Sequence, residues 1–167
     1  SGHNGTVWKL NTDGTGFTVL KSDFNYSDGG YLPSGVMLGA DGALYGTAFY
    51  GGSGYGTVWK LNTDGSGFTV LKSDFDHYTT GGLLESRLMV GADGALYGTA
   101  WQGGSGGYGT LFRLNTDGSG FSVLKNFDWY TTGAYPSSTE LIQGTDGALY
   151  GTARQGGSGG YGTVFKL

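Results

Sequence analysis

The segment GTVWKLNTDGSGFTVLK, Gly56–Lys72, decides the fold class of this chain. It contains two short runs rich in β-branched and aromatic residues, separated by a Thr-Asp-Gly-Ser-Gly loop, and this pattern is typical of a β-hairpin. The first six letters recur as GTVWKL from Gly5, GTLFRL from Gly109 and GTVFKL from Gly162, so successive copies are 51, 53 and 53 residues apart. Regular spacing of this length indicates a tandem repeat.

Two further motifs recur in the same phase and divide each unit into four predicted strands, named a to d. The motif NTDGxGFxVLK follows the first three copies of strand c, and DGALYGTA recurs at Asp41–Ala48, Asp93–Ala100 and Asp146–Ala153. Strand b is ALYGTA, strand c is GTVWKLN with its variants, and strand d is GFTVLKSDF or GFSVLKNF. Strand a is predicted at Ser34–Ala40, Ser86–Ala92 and Ser138–Thr145.

The pattern predicts an all-β fold built from β-propeller blades, each of which is a four-stranded antiparallel meander. The Asp-Gly pair between strands a and b is predicted to form a two-residue hairpin turn. Both faces of the strands are apolar, because Val58 lies on one side of strand c and Trp59 and Leu61 lie on the other. Stacked blades require such two-sided burial. We expect Gly98 and Ala100 to let adjacent sheets approach closely.

The repeats fill a single domain, 1–167, with units at about 1–52, 53–104 and 105–157 and an extra strand c at 158–167. Three blades are too few for a closed propeller ring, which typically has about four to eight. We therefore expect self-association, in which a homodimer of about six blades or a homotrimer of about nine closes the ring. The duplicated strand c is then displaced, frayed or swapped. The alternative is that the chain was cut from a longer array.

The repeated pattern DGALYGTA…GG…GTVFKLNTDGSGF resembles a bacterial tandem repeat, the Gloeobacter/Verrucomicrobia type, of about 52 residues per unit. The resemblance covers nearly the whole chain and implies a secreted or surface-anchored propeller-like protein. It carries over no catalytic motif. A looser likeness to NHL-type blades implies that strand a is innermost, at the central channel, and that strand d is outermost.

Composition excludes several functional classes. The net charge is −4 and only 13% of residues are charged, so no basic surface for nucleic acid is expected. No apolar run approaches the roughly 20 residues of a membrane-spanning helix, so we expect no membrane insertion. The chain contains no cysteine, which removes thiol catalysis and thiolate metal sites. Low charge together with abundant glycine and tyrosine favours an extracellular or cell-surface location.

Variable loops on one face of the blades are the expected place for ligand contacts, since binding residues concentrate on loops of rigid scaffolds. Their aromatic rings suit stacking on sugars or holding a peptide. The candidate ligand-binding residues are Tyr50, Trp101, Tyr78, Trp129 and Tyr130. The chain is therefore interpreted as a non-enzymatic binding module for a carbohydrate or protein. Two alternatives remain: these rings only anchor the loops to blade edges, or the chain is a self-assembling structural scaffold without a small-molecule ligand.

No catalytic, metal or cofactor site is expected. The two histidines, His3 and His77, lie in different parts of the repeat, which does not support a triad or a metal site. Glu85 and Glu140 are the only glutamates, and one carboxylate in each of two blades is weak evidence for acid–base chemistry. The repeated aspartates, such as Asp41, each precede a glycine, so turn formation explains them.

Overall fold

The computed structural model describes residues 5–29, 31–136 and 141–167, which form β-strands joined by turns and loops and contain no helix. The strands, in chain order, are β1 (Val7–Lys9), β2 (Thr18–Lys21), β3 (Tyr31–Leu38), β4 (Ala43–Tyr50), β5 (Thr57–Asn62), β6 (Thr69–Lys72), β7 (Met89–Val90), β8 (Leu96–Ala100), β9 (Thr110–Leu114), β10 (Ser122–Asn126), β11 (Ala134–Pro136), β12 (Ile142–Gln143), β13 (Leu149–Gln155) and β14 (Thr163–Lys166).

These strands form four antiparallel sheets whose order follows the chain. Sheet I is the β1–β2 hairpin, sheet II has the order β3-β4-β5-β6, and sheet III has the order β7-β8-β9-β10. In sheet IV, β13 pairs with β11, β12 and β14. Sheets II and III therefore confirm the predicted four-stranded up-and-down meanders, with strands a to d as neighbours.

Strand a differs in extent from the prediction. In sheet II it begins at Tyr31, before the predicted start at Ser34, and a register shift between Pro33 and Val36 divides it. In sheet IV the corresponding stretch is split, so that β11 pairs with one end of β13 and β12 with the other. The predicted start of that strand, Ser138, lies outside the described residues. A strand that pairs in two short regions shows little regular alternation of inward and outward residues, so its bounds are hard to predict from the sequence.

Apolar clusters fill the spaces between successive sheets. Trp59 and Leu61 are fully buried against Val7 and Phe24, between sheets I and II. Val58, on the opposite side of β5, belongs to a second cluster that lies between sheets II and III. A third cluster, between sheets III and IV, contains Met89, Leu111, Phe127, Leu141 and Leu149. The predicted burial of both strand faces is confirmed.

The strand b glycines make room for an aromatic ring within their own sheet. Gly98 pairs across the ladder with Phe112, and a Cβ atom at Gly98 would lie 2.6 Å from that ring. Gly46 has the same relation to Trp59, with a distance of 2.2 Å. We expected Gly98 to make room for an adjacent sheet, and this prediction was wrong. The ring for which Gly98 makes room belongs to the next strand of the same sheet.

The turn between strands a and b has three residues rather than the predicted two. In sheet II the Gly39 N–H donates to the Ala43 carbonyl over 2.8 Å, which encloses Ala40, Asp41 and Gly42. Gly42 has a φ of 78°, whereas Asp41 is not among the residues with positive φ. A two-residue type I′ turn would need positive φ at both central residues. In the three-residue loop, Gly42 has a positive φ and Asp41 does not need one.

Candidate functional site

Two sets of loops meet at one end of the sheets and form a surface that we call the loop face. It consists of the b–c loops, 51–56, 103–109 and 156–162, and the d–a loops, 25–29, 76–82 and 128–133, together with the residues at the adjoining strand ends, 50, 101 and 135. Backbone hydrogen bonds join the two sets: Gly52 N–H to Tyr26 O (2.9 Å), Gly104 N–H to His77 O (2.9 Å) and Gly157 N–H to Trp129 O (2.7 Å). The a–b and c–d turns lie at the opposite end.

An aspartate at the start of a d–a loop fixes the backbone of that loop. Asp76 Oδ1 accepts the N–H groups of Tyr78 (2.8 Å) and Thr79 (2.7 Å), and Oδ2 accepts the Thr79 hydroxyl. Asp128 accepts the corresponding set from the third loop. With their backbones held in this way, the tyrosines project outward, and Tyr78 and Tyr130 are 78% and 81% exposed.

Hydrogen bonding to the ionised form lowers the pKa of these carboxyls from the ordinary 3.8. The Thr79 hydroxyl is the main cause of a pKa of about 2 at Asp76, and the Thr131 hydroxyl has the same effect at Asp128. At the opposite end of the sheets, the Lys60 ammonium lowers the pKa of Asp41 to about 2. In each case folding stabilises the ionised carboxylate relative to the protonated carboxylic acid.

We expect the free energy of unfolding to fall as the pH is lowered from about 4 towards 2. Because these pKa values are depressed by folding, their contribution is complete above 3.8 and is lost as the carboxyls protonate near 2. Urea unfolding midpoints across this pH range measure the effect. The Asp76→Asn/Asp128→Asn double variant should show a shallower dependence, and an unchanged dependence would contradict this explanation.

Four half-buried aromatic rings form a continuous cluster on the loop face. Ring centroids are 5.5 Å apart for Trp101 and Tyr135, 5.9 Å for Tyr135 and Tyr108, and 5.9 Å for Tyr108 and Trp129. The cluster extends from the end of β8 to β11 and the loop that precedes β11. Two of the predicted residues, Trp101 and Trp129, are thus brought together, although two tyrosines separate them.

The two bridging tyrosines, Tyr108 and Tyr135, are not among the ligand-binding residues predicted from the sequence. Tyr108 carried a detectable signal, because a tyrosine stands before the Gly-Thr of strand c at Tyr55 and Tyr161 as well. Tyr135 carried none. Its position depends on a left-handed backbone with a φ of 57° and on its N–H donating to the Tyr108 carbonyl over 2.8 Å.

The three other predicted residues lie on the same face at separate places. Tyr50 is 41% exposed and packs edge-on against Phe49, with 4.5 Å between ring centroids. Tyr78 packs edge-on against His77, with 5.4 Å between ring centroids. His77 therefore also lies on the loop face. Tyr130 projects outward beside the cluster. The face therefore presents one aromatic cluster and several single exposed rings.

Among the described residues, the candidates for acid–base or metal chemistry do not lie close together. Glu85 is half-buried, while His3 and Glu140 lie outside the described residues. Asp41 accepts hydrogen bonds from Tyr45 (2.8 Å) and Lys60 (2.8 Å), an arrangement that serves the turn. Within residues 5–29, 31–136 and 141–167, no three histidine, aspartate or glutamate side chains are grouped so that they could hold a metal ion.

Residues 5–29, 31–136 and 141–167 include no helix with the length and apolar character needed to cross a membrane.

Comparisons with known proteins agree with a propeller-like repeat. The model of the Gloeobacter/Verrucomicrobia repeat matches residues 1–167. No curated protein matches the chain. A chain in the crystal structure of the Nidogen/Laminin complex is similar, with 21% identity and a TM-score of 0.60, over 86% of this chain and 46% of that one. TolB from Acinetobacter baumannii is similar with 15% identity and a TM-score of 0.64, over 96% of this chain and 34% of that one.

Both of these structures are β-propeller proteins. At such identities the likeness shows the fold alone, and this chain spans less than half the length of either. Their binding properties do not transfer to the loop face described above.

Proposed function

The chain belongs to the Gloeobacter/Verrucomicrobia repeat family, and from this premise we propose that it is a non-enzymatic binding module for a carbohydrate or protein ligand. A propeller-like repeat suits a binding or scaffold role, because it presents loops on rigid sheets. The observation that carries the proposal is the cluster of Trp101, Tyr135, Tyr108 and Trp129 on the loop face. A secreted or cell-surface location is compatible with such ligands.

The chemistry of the cluster favours a ligand with flat apolar patches and hydroxyl or amide groups. Tryptophan and tyrosine offer a broad apolar ring with a polar tip, a combination that stacks on sugar rings and on peptide side chains. The Trp101 Nε1–H has no hydrogen-bond partner among the described residues. The same is true of Trp59 in the core, so the indole N–H alone does not identify a site.

A fluorescence titration tests this proposal, because two of the four tryptophans lie on the loop face. We expect a saturable change in tryptophan emission with at least one member of a panel of soluble oligosaccharides and extended peptides. Trp101→Ala and Trp129→Ala should each weaken that response about 10-fold or more, as aromatic anchors commonly do. Trp8→Phe, away from the loop face, is the matched control and should bind like the unmodified chain. No response to any member would refute the proposal.

The second candidate function is a self-assembling scaffold, and the near-identity of the repeats favours it. The segments GTVWKL, GTLFRL and GTVFKL recur in the same phase along the chain. Surfaces repeated in this way can form head-to-tail contacts that close into a ring or extend into a filament.

A further inference from the structure

We propose that the ligand of the loop face is a linear, neutral polysaccharide whose site extends from the aromatic cluster to the boundary between sheets II and III. The extension consists of Tyr55, His77 and Leu83. The inference rests on the proposed binding function and deepens it, because it names the class of ligand and the extent of its site. Sugar rings of one chain occupy both boundaries at the same time.

The same pair of rings lies at two sheet boundaries. At each, a tyrosine that precedes strand c packs beside a ring of the following d–a loop. The ring centroids of Tyr55 and His77 are 6.1 Å apart, and those of Tyr108 and Trp129 are 5.9 Å apart. All four side chains are half-buried. The loop face therefore carries a second pair of rings, one repeat before the pair that belongs to the cluster.

A residue with a left-handed backbone follows the d–a loop at each boundary. Leu83 has a φ of 61° and Tyr135 a φ of 57°, and no other non-glycine residue in the described part of the chain has a positive φ. Each donates its N–H to the carbonyl of the local tyrosine: Leu83 to Tyr55 over 2.7 Å, and Tyr135 to Tyr108 over 2.8 Å. Such strained conformations concentrate at ligand sites. Their presence at both boundaries shows that the two places are built alike.

Leu83 connects the second pair of rings to the cluster. Its N–H donates to Tyr55, and its carbonyl accepts the N–H of Trp101 over 3.1 Å. The Trp101 ring is the first of the cluster, with its centroid 5.5 Å from that of Tyr135. The rings at the two boundaries therefore lie along one continuous course of hydrogen-bonded backbone. An arrangement that follows the order of the sheets fits an extended ligand better than a compact one.

Charge at the loop face favours a neutral ligand. Asp76 and Asp128 directly precede His77 and Trp129, and hydrogen bonds lower the pKa of both carboxyls to about 2, so that both stay ionised. Negative charge beside the rings disfavours an anionic chain. The carboxylate oxygens already accept N–H and hydroxyl groups of their own loops, which leaves little capacity to bind a cationic side chain.

Backbone pairing at the boundaries favours a sugar over an extended peptide. Peptides commonly bind by adding a strand to unpaired backbone groups. Several N–H groups at the two boundaries already donate within the protein: those of Gly82, Leu83, Trp101, Gln102 and Tyr135. Side chains therefore make the contacts with the ligand. The C–H face of a pyranose ring stacks on aromatic rings, and the exposed Tyr78 and Tyr130 offer hydroxyls to those of the sugar.

The test is the dependence of binding on chain length, measured by isothermal titration calorimetry. The probes are neutral hexasaccharides of glucose, mannose, xylose and N-acetylglucosamine, each compared with its methyl monosaccharide. Stacked sheets lie about 10 Å apart, so a single sugar ring does not contact both boundaries. We expect at least one hexasaccharide to bind about 100-fold more tightly than its monosaccharide, because its second contact is intramolecular.

Two variants locate this gain in affinity. His77→Ala should reduce the ratio of hexasaccharide to monosaccharide affinity about 10-fold or more, because one of the two boundaries then contributes little. Phe17→Ala is the matched control, since it removes a ring that is 63% exposed at the opposite end of the sheets. The control should keep the ratio of the unmodified chain. Equal affinities for both chain lengths, or a ratio that His77→Ala leaves unchanged, would overturn the inference.

Two further probes separate this inference from the proposed function. A hexasaccharide of a uronic acid should bind more weakly than the best neutral one, and tighter binding would contradict the argument from charge. If the extended peptides bind and no saccharide does, the inference is wrong and the proposed binding function stands. If neither class binds, the proposed function itself is refuted.

Discussion

Replacing Trp59 by alanine is expected to lower the free energy of unfolding by about 3–5 kcal/mol, the usual cost of removing a buried aromatic side chain. Trp59 is fully buried between sheets I and II, where its ring contacts Phe24 at 5.9 Å and Phe68 at 6.1 Å. Chemical unfolding monitored by circular dichroism, at a concentration low enough to keep the chain monomeric, measures the loss.

The repeat supplies matched controls for this experiment. Trp59→Phe should cost less than about 1.5 kcal/mol, because phenylalanine conserves most of the volume and already occupies the position at Phe112 and Phe165. Trp8→Ala changes the same position in the first unit. Since Trp8 is 56% exposed, its loss should cost less than about 1 kcal/mol. Equal costs for Trp8→Ala and Trp59→Ala would show that the sheets do not stack as described.

The second large effect is expected from the addition of a single methyl group, by the substitution Gly46→Ala. The added methyl would lie 2.2 Å from the Trp59 ring, which is fully buried between sheets I and II. Overpacking of this kind typically costs about 1–3 kcal/mol, and we expect a value at the upper end. Gly159→Ala is the control, because its Cβ would meet its nearest neighbour at an ordinary 3.5 Å. The same unfolding experiment compares the two variants.

A double-mutant cycle identifies the cause of the Gly46→Ala effect. If the methyl collides with the indole ring, the substitution should cost much less in a Trp59→Leu background, where the ring is absent. A coupling energy of about 1 kcal/mol or more is expected for groups in direct contact. Additive costs would instead place the strain in the backbone of β4.

The repeat and the stacking of its sheets could be predicted from the sequence because their determinants are local. Strand alternation places Val58 and Trp59 on opposite faces, and glycine after aspartate fixes where the chain turns. The extra turn residue at Ala40 and the split of strand a were not predictable in this way. Both depend on hydrogen bonds between strands, which a single segment does not reveal.

The candidate site was predictable in part. Trp101 and Trp129 stand out as aromatic residues in variable loops, and the fold places both on the loop face. Their connection depends on Tyr135, which reaches Tyr108 across a sheet boundary through a left-handed backbone. Such a contact joins residues of different sheets, so the pattern of a single strand or turn does not indicate it.

The most direct test of the binding function is the nitrogen–proton NMR spectrum of the four indole N–H groups, recorded with and without each oligosaccharide or peptide of the panel. Trp101 and Trp129 report the loop face, Trp59 the core and Trp8 the open end of sheet I. A binding module predicts that a ligand shifts the Trp101 and Trp129 signals in a saturable way and leaves Trp59 and Trp8 unchanged. Ligand shifts confined to Trp8, or no shifts with any member of the panel, would contradict it.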